Sequence, residues 1–266
     1  MSDIRQNELP EAASVDPREV EHYRRFAATW WDPQGPFWPL HKLNDLRVPW
    51  ITTRLCRHFD RDPAWEQPLQ GLALLDIGCG GGILAESMAR LGADVHGIDV
   101  VDRNIAVASD HARGQGLSLR YELVTAEALL ERGPVYDAVL NMEVVEHVAD
   151  LPGFMSAACG LLKPEGMMFV ATINRNPLAW LFAIFGAEVV LRWLPRGTHR
   201  YRLLRKPSEI FALLERHDLQ VLDSTGVRVD PLRRSLHLCR SLRVNYMLSA
   251  ARAGVRRSGA QRIDRE

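Results

Sequence analysis

The residues with the clearest chemical potential lie in one short run, where an apolar segment ends in a glycine-rich turn. The run begins at Leu74 and contains Asp76, Gly78 and three consecutive glycines, Gly80 to Gly82. Glycines in such a turn let the backbone pass close under a ligand, because a Cβ atom would collide with it. The spacing Gly80-x-Gly82-x-x-Ala85 also fits the dinucleotide fingerprint. The glycines alone therefore leave two ligand classes open.

Two carboxylates favour one of these classes. Asp76 stands just before the turn, where it would repel a pyrophosphate but attract S-adenosylmethionine (SAM), which carries a sulfonium and an ammonium group and no phosphate. Asp99 ends the second predicted strand, close to the ~20 positions after the turn at which an acidic residue meets ribose hydroxyls. Both carboxylates fit one adenosyl ligand. The alternative is a structural glycine turn with an N-terminal capping acid.

A second group of reactive side chains follows farther along the chain. Glu143, Glu146 and His147 stand at positions i, i+3 and i+4, so they share one face if a helix begins at Glu143. Two carboxylates and an imidazole can hold a divalent cation, and this oxygen-rich set suits magnesium better than zinc. Alternatively His147 acts as a general base, or the group only tunes a helix terminus and its packing.

The elements that must position these residues alternate in the middle of the chain. Short apolar strands and longer amphipathic helices between Leu72 and Ile173 are typical of an α/β doubly wound, mostly parallel sheet. The predicted strands are 73–77, 94–99, 119–124, 136–141 and 167–173, with helices near 83–91, 103–113 and 151–162.

The flanking regions carry fewer elements. Helices are predicted at 19–28 and 49–59, on either side of a loop over 30–39 that is rich in Trp, Pro and Gly. Residues 174–206 interrupt the alternation with an apolar and then a basic segment. A helix opened by Pro207 and strands near 219–225 and 245–248 follow.

Composition limits the class of protein. The chain has 266 residues, of which 47% are hydrophobic, enough for one sizeable core and one domain. Basic and acidic residues number 33 each, so no overall charge attracts a polyanion. The four cysteines lack zinc or redox spacing. The longest apolar stretch, 178–191, is shorter than the ~20 residues that span a bilayer. We therefore expect a cytoplasmic protein that is soluble or lies on a membrane.

Motifs along the whole chain resemble those of a known family. From Leu74 to Ile173 the chain is similar to class I methyltransferases, which have a Rossmann-like fold. Further motifs are Trp30-Trp31-Asp32, Phe37-x-Pro39-Leu40-His41, Asn44-x-Leu46-Arg47, Gly197-Thr198-His199 and Val244-Asn245-Tyr246-Met247-Leu248. From about Glu21 to Ala250 this set resembles the ubiquinone-biosynthesis O-methyltransferases.

The resemblance implies an activity: SAM-dependent methylation of a ring hydroxyl on two polyprenylated catechols, 2-polyprenyl-6-hydroxyphenol and 3-demethylubiquinol. It also implies SAM contacts. Together with the glycine-turn residues, the expected cofactor site comprises Arg47, Asp76, Gly78, Gly80, Asp99 and Met142, although a methionine at a strand end is more often core packing. In some relatives a divalent metal, here expected to be magnesium, binds at the positions of Glu143, Glu146 and His147.

The resemblance also implies a domain organisation. Because Arg47 lies far before the glycine turn, residues 21–60 must fold over the cofactor as a lid. We expect a flexible N-terminus at 1–20, one domain over 21–250 with an insertion at 174–206, and a basic flexible tail at 251–266. Residues 177–206 are apolar and then free of acids near their end, which favours contact with an anionic membrane, where a polyprenyl substrate resides. A buried helix lining the substrate pocket is the alternative.

Three competing functions stay open at this point. The chain could methylate another phenol or lipid, or it could be a nicotinamide-dependent oxidoreductase, which Asp76 opposes. It could also be a non-catalytic SAM-binding partner in a quinone-biosynthesis complex. Nucleic-acid binding is not expected, because arginine so outnumbers lysine that the basic patches point to genome composition more than to a phosphate-binding surface.

Overall fold

Alternating strands and helices assemble one eight-stranded sheet in the computed structural model, which describes residues 12–179, 204–230, 233 and 235–252. The strands are β1 (Ala73–Ile77), β2 (Asp94–Asp99), β3 (Arg120–Leu123), β4 (Tyr136–Met142), β5 (Leu162–Ile173), β6 (Leu219–Asp230), β7 (Ser235–Cys239) and β8 (Asn245–Arg252). The helices are α1 (Pro17–Phe26), α2 (Trp38–His58), α3 (Ile83–Arg90), α4 (Asp102–Gly114), α5 (Ala126–Glu131), α6 (Leu151–Gly160), α7 (Pro177–Ala179) and α8 (Pro207–Glu215).

The order of the strands determines where a ligand site lies in this fold. The sheet runs β3-β2-β1-β4-β5-β8-β6-β7, with β1 to β5 parallel and the last three strands antiparallel. The order in which successive strands are added to the sheet reverses between β1 and β4. These two strands are parallel neighbours, so their carboxyl ends lie side by side. In open α/β sheets a ligand binds at such a switch point. The fold class predicted from the sequence is confirmed.

Apolar layers cover both faces of this sheet. One layer packs α6 and α8 against it through fully buried side chains that include Met155 and Ile210. The other packs α2 and α3 against it through Leu55 and Met88. The central strands are buried on both faces, as expected of parallel strands between helices. The core therefore fixes the carboxyl ends of β1, β2 and β4 with little freedom.

Several sequence predictions need correction. Helix α2 begins at Trp38 and not near 49, because Pro39 lies in its first turn, where proline is tolerated, and Pro49 lies within it. Pro49 does not end the helix, since buried Trp50, Ile51 and Leu55 hold the following turns against the sheet. The sequence reasoning also missed α5 and β7, both of which are short.

A third correction concerns the segment after β4. Residues 143–150 form turns and bends, so Glu143, Glu146 and His147 do not share a helical face. Glu143 has a left-handed backbone conformation with φ of 62°, so it cannot be the first residue of a right-handed helix. Its spacing to His147 therefore does not dictate which way the three side chains point.

Parts of the predicted organisation fall outside the described residues. These are most of the N-terminal segment 1–20, most of the insertion 174–206 and the tail after 252. Among the described residues, no helix is long and apolar enough to cross a membrane. The boundaries of the lid, insertion and tail stay predictions.

Candidate active site

One cavity of about 660 Å³ lies at the carboxyl ends of β1, β2 and β4, under the N-terminal segment. Its size falls in the range of small-molecule sites. The wall contains all six predicted cofactor residues, Arg47, Asp76, Gly78, Gly80, Asp99 and Met142, and two of the three predicted metal ligands, Glu143 and His147. Glu146 does not contribute to it. The structure thus brings eight of the nine sequence candidates, from four separate segments, to one site.

Three glycines in the turn after β1 are required by the backbone and by their neighbours. Gly78, Gly80 and Gly82 have φ of 66°, 55° and 88°. A Cβ on Gly78 would lie 2.7 Å from Val144, and one on Gly80 would lie 2.5 Å from the ring of Trp30. Larger residues would therefore be strained in conformation and would collide with the cavity wall.

Asp99 joins the glycine turn to the end of β2. Its carboxylate accepts hydrogen bonds from the backbone N–H of Gly80 at 2.9 Å, the backbone N–H of Val101 at 2.8 Å and the side-chain amide of Asn104 at 3.3 Å. Burial raises the pKa of Asp99, and these donors oppose the rise. The carboxylate is thus held at the cavity wall in one orientation.

Asp76 is the second carboxyl group of the cavity wall. Only 3% of the residue is exposed, and its Oδ2 has no hydrogen-bond partner among the described residues. Burial raises its pKa to about 7, while the nearby guanidinium of Arg47 acts in the opposite direction. A buried carboxylate with a free oxygen is costly unless a cation joins it. The site is therefore suited to a positively charged ligand.

Arg47 reaches the site from α2. The side chain is buried, and its Nε donates to Asn44 Oδ1 at 2.8 Å. Burial lowers the pKa of Arg47, while Asp76 and Glu143 oppose this effect. Arg47 therefore brings a guanidinium group from α2 to the cavity wall.

Aromatic side chains hold this N-terminal segment on the turn. The indole N–H of Trp30 donates to Asn104 Oδ1 at 2.9 Å, and that of Trp31 donates to the carbonyl of Gly81 at 2.8 Å. Trp30 stacks on Phe37 with ring centroids 3.8 Å apart, and Trp31 stacks on His111 at 3.5 Å. The Trp-Trp motif thus holds the N-terminal segment against both α4 and the turn.

The two glutamates after β4 interact with each other. Burial and the adjacent Glu143 raise the pKa of Glu146 well above its ordinary value. Thr172 donates its hydroxyl to Glu146 Oε2 at 2.7 Å, and Oε1 has no hydrogen-bond partner among the described residues. Glu143 and Glu146 therefore share a proton or a cation more readily than they carry two negative charges.

His147 points to different partners, on helix α1. Its Nδ1 lies 3.0 Å from Glu19 Oε2, and its Nε2 lies 3.0 Å from the hydroxyl of Tyr23. Because a carboxylate only accepts, Nδ1 carries a proton toward Glu19 and leaves Nε2 as the basic nitrogen. Burial and the surrounding carboxylates raise the pKa of Tyr23 well above its ordinary value, so its hydroxyl stays protonated. Sequence reasoning missed Glu19 and Tyr23, which lie more than 120 residues from His147 and carry no motif of their own.

No group of three or more His, Cys, Asp and Glu side chains is arranged to hold a metal ion in the part of the chain that the structure describes. The two glutamates fit a cation as a pair, whereas both ring nitrogens of His147 already have partners. The three predicted ligands do not form a ready-made set, and the metal assignment stays a prediction.

Comparison with known proteins agrees with this arrangement. A methyltransferase domain family matches residues 49–224. The ubiquinone biosynthesis O-methyltransferase of Sinorhizobium fredii is 53% identical over 90% of this chain and 96% of its own length. The enzyme of the same name from Brucella ovis matches equally, at 53% over the same shares.

Solved structures support the fold. Magnesium protoporphyrin IX methyltransferase from Synechocystis, determined with bound S-adenosylhomocysteine, superposes with a TM-score of 0.61 at 19% identity, over 88% of this chain and 95% of that one. The plantazolicin methyltransferase BpumL, also in complex with S-adenosylhomocysteine (SAH), gives a TM-score of 0.56 at 16% identity, over 88% and 97%. With the curated relatives identical at more than half of the aligned positions, the chain belongs to the ubiquinone biosynthesis O-methyltransferase family.

Proposed function

We propose that this enzyme transfers the methyl group of SAM to a ring hydroxyl of polyprenylated catechols, namely 2-polyprenyl-6-hydroxyphenol and 3-demethylubiquinol. The observation that carries the proposal is that one cavity contains both an acidic glycine turn for a cationic cofactor and a histidine whose basic nitrogen is set by a carboxylate. The family's name supplies the pathway. One cavity therefore offers the groups that would bind the methyl donor and the group that would take the proton.

The turn accounts for the binding of the donor. The carboxylate of Asp99 accepts from the ribose hydroxyls, and the free oxygen of Asp76 faces the positive charges of SAM. Gly78 and Gly80 let the ligand approach the backbone, while Met142 and Arg47 complete the wall. The lid that carries Arg47 and Trp30 excludes water from the transfer.

The chemistry requires a base because a phenol hydroxyl holds its proton up to a pKa of ~10. As the hydroxyl oxygen attacks the methyl carbon, the carbon–sulfur bond breaks and its electrons remain on sulfur, giving SAH. The phenolic proton passes to Nε2 of His147. Glu19 holds the ring in the required tautomer and stabilises the imidazolium that forms.

Tyr23 lies beside His147 in the cavity wall. Its hydroxyl contacts Nε2 and the side chain contributes to the cavity wall. A neutral phenol can accept a proton from the substrate while giving its own to the imidazole, so Tyr23 relays the proton or yields its place to the substrate hydroxyl. Either route ends on the same nitrogen.

A divalent cation is the alternative way to activate the hydroxyl. Magnesium would be held by Glu143 and Glu146, whose shared charge suits a cation, and His147 would join only by releasing Tyr23 or Glu19. Such an ion would lower the pKa of a bound phenol. Removal of metal by a chelator distinguishes the two schemes.

The setting of the reaction is also part of the proposal. A polyprenyl substrate resides in a lipid layer, so we infer peripheral contact with an anionic inner membrane through residues 177–206, most of which lie outside the described residues. A complex with other quinone-biosynthesis enzymes is consistent with such a location. No step calls for nucleic acid.

Methylation of defined phenols tests the proposal. Purified enzyme with SAM should methylate a short-chain polyprenyl catechol and the matching demethylubiquinol. Faster turnover of an unrelated phenol or lipid would instead favour a different small-molecule substrate. SAM binding without methylation of any of these would support the non-catalytic reading.

A further inference from the structure

We propose that the apolar face of the β6–β7 hairpin, together with the start of α2, is the binding channel for the substrate's hydrocarbon tail. This inference rests on the proposed function, which requires a catechol that carries a polyprenyl chain. The ring must lie beside the glycine turn, so the chain needs an apolar path away from it. The structure assigns that path to one wall of the cavity.

The pairing of β6 with β7 creates the apolar face. Val227 lies opposite Leu238 and Val229 lies opposite Leu236 in the antiparallel register. Directly opposed residues project to the same side of a sheet, so these four aliphatic side chains form one surface. The other side of the hairpin is polar and carries the opposed pair Arg228 and His237.

This surface runs from the cavity to solvent. Val227, Val229 and Leu236 contribute to the cavity wall, as does Arg228. Val227 is only 5% exposed, whereas Val229 and Leu238 are each 42% exposed. Along β6 the aliphatic face therefore runs from the buried Val227 to the exposed Val229, and Leu238 on β7 continues it outside the cavity wall. Exposed aliphatic side chains next to a ligand cavity are typical of a surface that a ligand or a partner covers.

Helix α2 supplies the opposite wall. Its residues Leu40 and Leu43 contribute to the same cavity, and α2 packs against β7. Leu43 belongs with Val227 and Leu236 to one apolar cluster. The channel therefore has aliphatic side chains on both sides, which fits a flexible hydrocarbon chain and offers few hydrogen-bond partners to a polar ligand.

Two substitutions test the channel without changing strand propensity. Val229→Thr and Leu236→Thr introduce hydroxyls on the proposed surface, and threonine remains a good strand former. We expect the double variant to lose roughly tenfold of the preference in kcat/KM for a polyprenyl catechol over the same catechol without the tail, as for methylenes lost from an apolar pocket. Leu222→Thr is the matched control, because Leu222 lies on the same strand, is 40% exposed and is not part of the cavity wall. It should keep the parent preference.

An equal preference in the double variant, the control and the parent would overturn the proposal. If the parent enzyme methylates neither catechol, the proposed function is wrong. The channel is then tested by a second measurement. A polyprenyl catechol with a diazirine at the end of its tail should photolabel residues 226–239 or 40–43 of the parent protein. Labelling confined to other segments would place the tail elsewhere and refute the channel. If the double variant does not fold, photolabelling of the parent protein replaces the kinetic test.

Discussion

Replacement of Asp76 by asparagine is the sharpest probe of cofactor charge recognition. The carboxylate is 3% exposed and one of its oxygens has no partner among the described residues, so solvent screening is small. Interactions that involve a charged partner contribute about 1.5–3 kcal/mol. Loss of the charge should therefore raise the Kd for SAM about 10-fold to 100-fold at neutral pH. Isothermal titration calorimetry measures this directly.

The pH dependence gives a second, independent readout. Burial raises the pKa of Asp76 to about 7 in the protein without cofactor. Only the ionised form attracts a cation, so affinity is present above this pKa and lost as the pH falls through it. Between about pH 8 and about pH 6 the ionised fraction falls roughly tenfold, and the affinity for SAM should fall with it.

The asparagine variant should lack this part of the pH dependence. The ammonium of SAM also titrates, but it does so equally in both proteins, so the difference between their profiles isolates Asp76. SAH, which lacks the sulfonium charge, should lose less affinity than SAM on the substitution. Equal Kd values for parent and variant, or parallel pH profiles, would refute the electrostatic reasoning.

The other predictions concern the ribose, the base, the metal and the lid. Asp99→Ala should weaken SAM binding by ~1 to 3 kcal/mol, and an unchanged Kd would remove Asp99 from the site. His147→Ala should lower kcat by ~10² to 10⁴ with SAM affinity retained, and Glu19→Gln should lower it less and shift the pH profile of kcat; parent rates in both would make the pair structural. A chelator should leave turnover unchanged if His147 is a metal-free base, whereas loss of turnover that magnesium restores in the parent but not in Glu143→Ala would establish the metal scheme. Amide hydrogen exchange over residues 30–50 should slow when SAM or SAH binds, and no protection there would make the segment structural only.

The parallel part of the sheet could be predicted from the sequence because its short strands lie between clear turn signals, and β1 and β2 have the predicted bounds. Strands β5 and β6 each have 12 residues and extend beyond the predicted 167–173 and 219–225, because the added ends contain glycine, proline or charged residues and carry no clear strand pattern. The start of α2 was predicted wrongly because proline occurs both in loops and in the first turn of a helix. Pro39 reads as a loop residue in the sequence, yet it lies in the first turn of a long helix whose stability comes from tertiary packing.

The residues of the predicted cofactor site could be identified from the sequence for a similar reason. Asp76, Gly78 and Asp99 lie at strand ends, where the fold itself brings residues together. The proposed base could not be identified in the same way. His147 was a candidate, but its orientation depends on a left-handed residue at Glu143 and on Glu19 in α1, and neither the turn nor the long-range contact has a local signal.

Transfer of a labelled methyl group tests the central claim most directly. The enzyme would be incubated with SAM that carries a trideuterated methyl group and with a short-chain polyprenyl catechol, and the product would be examined by mass spectrometry and NMR. We predict one trideuterated methyl group on a ring oxygen, formed in equal amount to SAH. Methyl transfer to a ring carbon, or no transfer although SAM binds, would contradict the account.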